Sequence, residues 1–99
     1  MPEQKIALVT GASRGIGKAI ALALAQQTIF VVGSATSEAG AKAITTYLTD
    51  AGLAGYGVVL NIADKISIAR LFTDLEAAQH LPSILVNNAG ITRDNDNIV

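Results

Sequence analysis

The chain has 99 residues, of which 51% are hydrophobic and 15% charged, and its net charge is -1. This is the composition of a core-forming protein of one small domain, and its scattered charges leave no footprint for nucleic acid or an anionic membrane. With no cysteine, the sequence excludes disulfides, thiolate chemistry and Cys-based metal sites, and its single histidine, His80, cannot build a metal site by itself. Its apolar runs are interrupted by Arg14, Lys18 and glycines, well short of a membrane span, and the opening MPEQKIALVTG is too brief for a secretory apolar region. A soluble cytoplasmic protein is the expectation.

Residues 5–10, KIALVT, form a short apolar run closed by glycine, the pattern of a strand buried on both faces. Residues 16–27, rich in alanine and leucine, predict a helix buried over most of its circumference. IFVVG, residues 29–33, predicts a second strand. Ser37 and Glu38 have the character of an N-cap and a first-turn acid. The helix they open covers residues 38–51, with Ala41, Ile44, Tyr47 and Leu48 on one face. The glycine-rich DAGLAGYG breaks it, and GVVL, residues 57–60, predicts a third strand. Asp64 opens a third helix with Ile68, Leu71, Phe72, Leu75 and Ala78 at helical spacing, ended by Pro82. His80 falls at that helix end, where it suits the dipole. ILVNN, residues 84–88, predicts a fourth strand.

Strands alternating with helices, βαβαβαβ, predict an α/β fold: a Rossmann-type doubly wound parallel sheet with right-handed crossovers and helices on both faces. Ligands of such sheets bind at the carboxyl ends of the strands, where the strand order reverses.

The turn after the first strand has the spacing Gly11-x-x-x-Gly15-x-Gly17. Gly11 lets the chain leave the strand tightly, Gly15 removes a Cβ where backbone approaches a phosphate, and Gly17 allows close helix packing. An ordinary strand–helix turn also favours glycine, but the preceding strand and following alanine-rich helix select the nucleotide-binding reading. The turn lacks the Gly-Lys-Ser/Thr ending of a P-loop. Arg14, inside it, has the geometry for a phosphate. Where NAD-binding folds place an acid at the end of the second strand, this sequence has Ser34, Ala35 and Thr36. A carboxylate would repel a 2′-phosphate, so these residues favour NADP(H). Glu38 could contact a ribose, although a first-turn dipole role explains it.

TGASRGIG after one strand and NNAG after another resemble the classical short-chain dehydrogenase/reductase family. Within it, KIALVTGASRGIGKAIA, GSATSEAGAKAI, LNIAD and ILVNNAGITRDN are similar to the 3-oxoacyl-[acyl-carrier-protein] reductases of fatty acid synthesis. The resemblance implies that Gly11, Ala12, Ser13 and Arg14 wrap the pyrophosphate and adenosine ribose, and that Ile16 lines the nicotinamide side. It implies that Thr36 joins Arg14 at the 2′-phosphate, and that Asn61 and Ile62 flank the adenine. Asn88, Ala89 and Gly90 would pass beneath the cofactor ribose; Gly17 completes the cradle. Asn87 and Asn88 also suit a purely local role at a strand end. An acyl-carrier-protein thioester and a homotetramer are the partners implied, with Arg93 facing the carrier.

The family's catalytic serine and Tyr-x-x-x-Lys pair have no match. Tyr47 is followed four residues on by Ala51, and Tyr56 by Leu60, so no catalytic residue is assigned. Asp94 and Asp96 suit a solvated loop better than a cation site. Asp96 to Val99 resembles part of a later helix, as though a loop after about residue 95 were absent. The expectation is therefore that residues 1–99 form the N-terminal dinucleotide-binding portion of a single, incomplete Rossmann-type domain. Its fourth strand and third helix would lack neighbours. Other readings remain: a reductase of CoA thioesters, sugars or steroids, a non-catalytic nucleotide-binding module, and an S-adenosylmethionine-dependent methyltransferase fold, disfavoured by the missing acid after strand two.

Overall fold

The computed structural model describes residues 4–88. In chain order its elements are β1 (Ile6–Val9), α1 (Gly15–Gln26), β2 (Phe30–Ala35), α2 (Glu38–Asp50), β3 (Gly55–Val59), α3 (Lys65–Ala77) and β4 (Ile84–Val86). The strands form one parallel sheet in the order β3-β2-β1-β4. This is the α/β, Rossmann-type arrangement that the alternation of elements predicts.

Period-two alternation divides each inner strand between the two faces. Val9, Val31 and Ala35 join Ala21 and Ala25 of α1 and Ile44 and Leu48 of α2 in one core. Leu8 and Val32 join Leu60 and Leu71 and Leu75 of α3 in another. Helices α1 and α2 therefore cover one face and α3 the other. The chain steps outward from β1 to β3, then crosses back to lay β4 on the other side of β1. The crossovers diverge between β1 and β4, and a crevice opens at their carboxyl ends.

Helices α2 and α3 begin as their sequences predict. Ser37 Oγ accepts the Gly40 N–H at 3.1 Å, and Asp64 Oδ1 accepts the Ile66 N–H at 2.9 Å. Several boundaries differ from expectation. Strand β2 continues through Ser34 and Ala35, which pair with Val58 and Val59. Strand β3 starts at Gly55, inside the segment expected to be a breaker. The reason lies at Gly57, where an added Cβ would stand 2.0 Å from the Ala41 carbonyl oxygen. Thr45 Oγ1 accepts the Gly57 N–H at 2.9 Å. Glycine in this strand marks the approach of α2 and not a turn. Helix α1 buries only the stripe Gly17, Ala21 and Ala25, narrower than its alanine content suggested.

Helix α3 stops at Ala77, before Pro82 can act, because Gln79 adopts a left-handed conformation with φ 62°. His80 then stacks on Phe30 with ring centroids 4.4 Å apart, and its Nδ1 lies 2.8 Å from the Tyr56 hydroxyl. That aromatic cluster accounts for its position better than the helix dipole does. At the end of α1, Thr28 is also left-handed, with φ 64°. A β-branched residue there is strained. Among the described residues β4 forms one edge of the sheet, and Leu85 on it is 63% exposed.

Replacing the exposed Thr28 by glycine should relieve this strain. In the full-length protein, Thr28→Gly is expected to raise the unfolding free energy by about 1 kcal/mol. The gain would appear as a higher urea midpoint with an unchanged slope. A lower midpoint would mean that the threonine side chain contributes more than its backbone conformation costs.

Candidate nucleotide-binding site

The site is built where β1 and β4 end side by side. The Thr10 N–H donates to the Val86 carbonyl at 3.0 Å, and the Thr10 hydroxyl lies 3.2 Å from Asn87 Oδ1. Gly11, with φ 63°, turns the chain out of the sheet. Ala12 is fully buried, and its N–H donates to the Ser34 carbonyl at 2.9 Å. Its own carbonyl accepts the Tyr47 hydroxyl at 2.6 Å. Both polar groups of the Ala12 backbone are thus fixed, one by β2 and one by α2.

Gly17, in the first turns of α1, has no room for a side chain. A Cβ there would be 2.0 Å from the Gly11 carbonyl oxygen and 2.6 Å from Asn88 Nδ2. Asn88 is buried, and its Nδ2 donates to that same carbonyl at 3.1 Å. Gly15 is glycine for a different reason. Its φ is 64°, and a Cβ built on it would meet no atom within 4 Å. Backbone conformation and an open approach require glycine there.

The N-terminus of α1 carries no side-chain cap and no acid in its first turn, whereas α2 and α3 are both capped by side chains. Its leading N–H groups therefore remain available, with the positive end of the helix dipole behind them. A cavity of about 600 Å³ opens in front of this turn. Gly11, Ser13, Arg14, Gly15 and Ile16 line it from the turn. Ser34, Ala35 and Thr36 line it from the end of β2, Leu60 and Ile62 from beyond β3, and Asn88 from beyond β4. No carboxylate is among these lining residues.

Of the residues singled out in the sequence, Gly11, Ser13, Arg14, Ile16, Thr36, Ile62 and Asn88 meet at this cavity. Ala12 and Gly17 lie behind its wall as packing and hydrogen-bonding elements. Asn61 does not line it; its Oδ1 accepts the Ala63 N–H at 3.0 Å in a local turn. Ala89, Gly90, Arg93, Asp94 and Asp96 lie outside the described residues. Leu60 was not anticipated. It follows an apolar run, and only the end of β3 one residue earlier makes it a wall of the site. Tyr47 was read only as a face residue of its helix, yet it reaches the turn. Burial pushes its phenol up to about 12 from the ordinary 10.0, and raises Tyr56 as well.

This arrangement defines a class. The sequence matches the short chain dehydrogenase family over residues 5–98, and the chain belongs to that family. It is 56% identical over 93 residues to the 3-oxoacyl-[acyl-carrier-protein] reductase FabG of Escherichia coli, covering 94% of this chain and 37% of that protein. The protein of the same description from Haemophilus influenzae is 56% identical over 91 residues, covering 92% and 36%. That of Pseudomonas aeruginosa is 52% identical over 93 residues, covering 92% and 37%. The chain thus spans little more than a third of the length of these relatives. Family and relatives imply a nicotinamide nucleotide as cofactor. The residues present fit one: an uncapped helix start, a glycine whose missing Cβ leaves the approach open, and a wall without carboxylates. Among the described residues, no helix is long and apolar enough to cross a membrane, and no cluster of acidic and histidine side chains could hold a metal ion.

Two outcomes follow from this geometry. In the full-length protein, Gly17→Ala should lower stability by about 1–3 kcal/mol through overpacking and weaken nicotinamide nucleotide binding roughly tenfold or more, measured by titration. Unchanged binding would mean that the turn tolerates displacement. The second concerns pH. Tyr47 holds its proton more tightly folded than unfolded, so its contribution is complete below pH 10.0 and is lost as pH rises toward about 12. Tyr47→Phe should flatten that part of the alkaline stability profile, followed by urea unfolding at successive pH values.

Proposed function

We propose that the protein carrying this chain is an NADPH-dependent reductase of 3-oxoacyl-[acyl-carrier-protein], and that residues 1–99 supply the N-terminal cofactor-binding portion of its single Rossmann-type domain. The observation that carries the cofactor preference is the wall of the cavity. Arg14 and Thr36 open onto the same space, and among the described residues no acid lines it. A carboxylate at the end of β2 would hold a ribose 2′-hydroxyl; its absence beside a guanidinium favours a 2′-phosphate. The substrate assignment rests on the likeness to 3-oxoacyl-[acyl-carrier-protein] reductases, which are 56% identical to this chain over the 91 and 93 residues that align.

On this reading each group has a defined task. The start of α1, with Gly11, Ala12, Ser13 and Gly17 forming and backing the turn, receives the diphosphate. Arg14 and Thr36 take the 2′-phosphate. Ile62 borders the adenine, with Asn61 holding the local turn that carries it, and Ile16 shields the nicotinamide side from water; Ile16 is 65% exposed, an apolar side chain open to a ligand. Asn88, on the cavity wall beyond β4, meets the ribose. When bound, the nicotinamide nucleotide supplies the hydride that reduces a 3-keto group to a hydroxyl. Neither described tyrosine is proposed as the proton donor, because each hydroxyl already has a protein partner, Tyr47 at the Ala12 carbonyl and Tyr56 at His80. A homotetramer, a cytoplasmic setting and an acyl-carrier-protein thioester as substrate go with the reading, carried over from the resemblance.

The test is oxidation of NADPH by the full-length protein with a 3-oxoacyl thioester, presented on acyl-carrier protein or on CoA. Preference for the carrier-borne substrate is expected; turnover of the CoA thioester alone would reassign the substrate. Arg14→Ala should lower the NADPH-over-NADH ratio of kcat/KM about 10- to 100-fold, the scale of a charge-assisted hydrogen bond. An unchanged ratio would remove Arg14 from the 2′-phosphate site.

A further inference from the structure

The Tyr47 hydroxyl fills a role that neither the glycine motif nor the cavity wall accounts for. It lies on α2, 35 residues along the chain from its partner, and donates to the Ala12 carbonyl at 2.6 Å. That carbonyl shares one peptide plane with the Ser13 N–H. In a trans peptide the two point in opposite directions, and the described backbone contains no cis bond. Fixing one therefore aims the other, away from α2. Ser13 lines the cavity, and no described acceptor takes its N–H. The other side of the Ala12 residue is fixed as well, by its N–H on Ser34.

Nearby contacts hold the tyrosine itself. Lys18 Nζ stands 5.1 Å from the centroid of its ring, and the Lys18 N–H donates to the Arg14 carbonyl at 3.3 Å. Gly40, at the start of α2, lies so close to the turn that a Cβ on it would be 3.5 Å from Ser13 Cβ. Helix α2 is thus braced against the turn at both its first residues and its third turn. Burial raises the phenol from 10.0 to about 12, so at neutral pH it is protonated and a donor.

We propose that Tyr47 is a positioning residue for the cofactor: its hydroxyl, through the Ala12 carbonyl, sets the Ser13 N–H as a preformed donor to the diphosphate of the dinucleotide. The proposal rests on the cofactor reading given above. A donor already aimed before binding spares the ligand the cost of ordering the turn. The effect should be confined to ligands that carry the diphosphate, and blind to the 2′-phosphate.

Tyr47→Phe in the full-length protein keeps the ring, its packing and the lysine above it while removing the hydroxyl. Affinity is measured by titration with NADPH, NADH and 2′-AMP, the last having an adenosine and a 2′-phosphate but no phosphate on its 5′ carbon. A melting curve of the unliganded protein accompanies each titration. NADPH and NADH are expected to weaken by the same factor, roughly 3- to 10-fold, the scale of one neutral hydrogen bond, with 2′-AMP unchanged. A lower melting temperature with unaltered NADPH and NADH affinity would overturn the proposal and make Tyr47 a purely structural brace. Equal weakening of all three ligands would overturn it too, since the effect would not be at the diphosphate. Failure of the unsubstituted protein to bind any of the three would instead defeat the cofactor reading on which the proposal stands.

Discussion

The Gly11 carbonyl is the point on which the cofactor end of this fold depends. Three segments converge on it: the exit of β1 that carries it, the first turns of α1 through Gly17, and the exit of β4 through Asn88 Nδ2. Because the contact with Gly17 leaves no room for a Cβ, the axis of α1 is set by backbone against backbone and not by an adjustable side chain. Asn88 is buried, so its amide needs the carbonyl as much as the carbonyl needs the amide; leaving either unpaired costs about 1–3 kcal/mol. The consequence is geometric. With α1 pinned there, its uncapped start faces the crevice between β1 and β4 and nowhere else.

Much of this was legible in the sequence because it is written in local patterns. The apolar runs gave the strands, Ser37 and Asp64 announced two helices, and the order of elements implied the parallel sheet and its helices on both faces. The glycine spacing located the turn, and TGASRGIG with NNAG placed both strand ends at one site before any geometry was known. What escaped was set by tertiary approach. Gly55 and Gly57 look like breakers until α2 is laid across β3, and then Gly57 is the residue that permits it. Gln79 ends α3 through a backbone conformation that a glutamine does not advertise. Tyr47 lies at helical spacing with Ile44 and Leu48, so periodicity assigns it to packing; its hydroxyl finds a carbonyl far away in sequence only once α1 and α2 share a face.

The two tyrosines illustrate how one residue type takes different work from the layer it occupies. Tyr56, toward the amino end of β3, meets Phe30 edge-on at 5.7 Å and His80 through its hydroxyl. That cluster closes the sheet beneath α3, on the side away from the glycine turn. Tyr47 lies on the opposite face and belongs to the turn itself. A polar atom that is buried must be satisfied. Satisfying one at the sheet's closed end adds stability, whereas satisfying one beside the glycine turn also fixes the direction of a neighbouring donor.

On the proposed function, selection between the two nicotinamide dinucleotides would follow from the same architecture by electrostatics. A carboxylate about 4 Å from a phosphate charge would oppose it by about 4 kcal/mol at the effective dielectric of a protein surface, and a guanidinium would favour it by a similar amount. Residues 34–36 present none of the former to the cavity, and Arg14 presents the latter. Ser34 and Ala35 are held in β2 by their pairing with β3, so Thr36 is the first residue of that strand's exit free to face a ligand. On that proposal, discrimination would depend on a single exposed position and one guanidinium carried by the glycine turn. Because the turn is anchored through Ala12 to both β2 and α2, the guanidinium springs from a backbone held on two sides. An arginine on such an anchored turn has a fixed point of departure even though its own side chain is exposed.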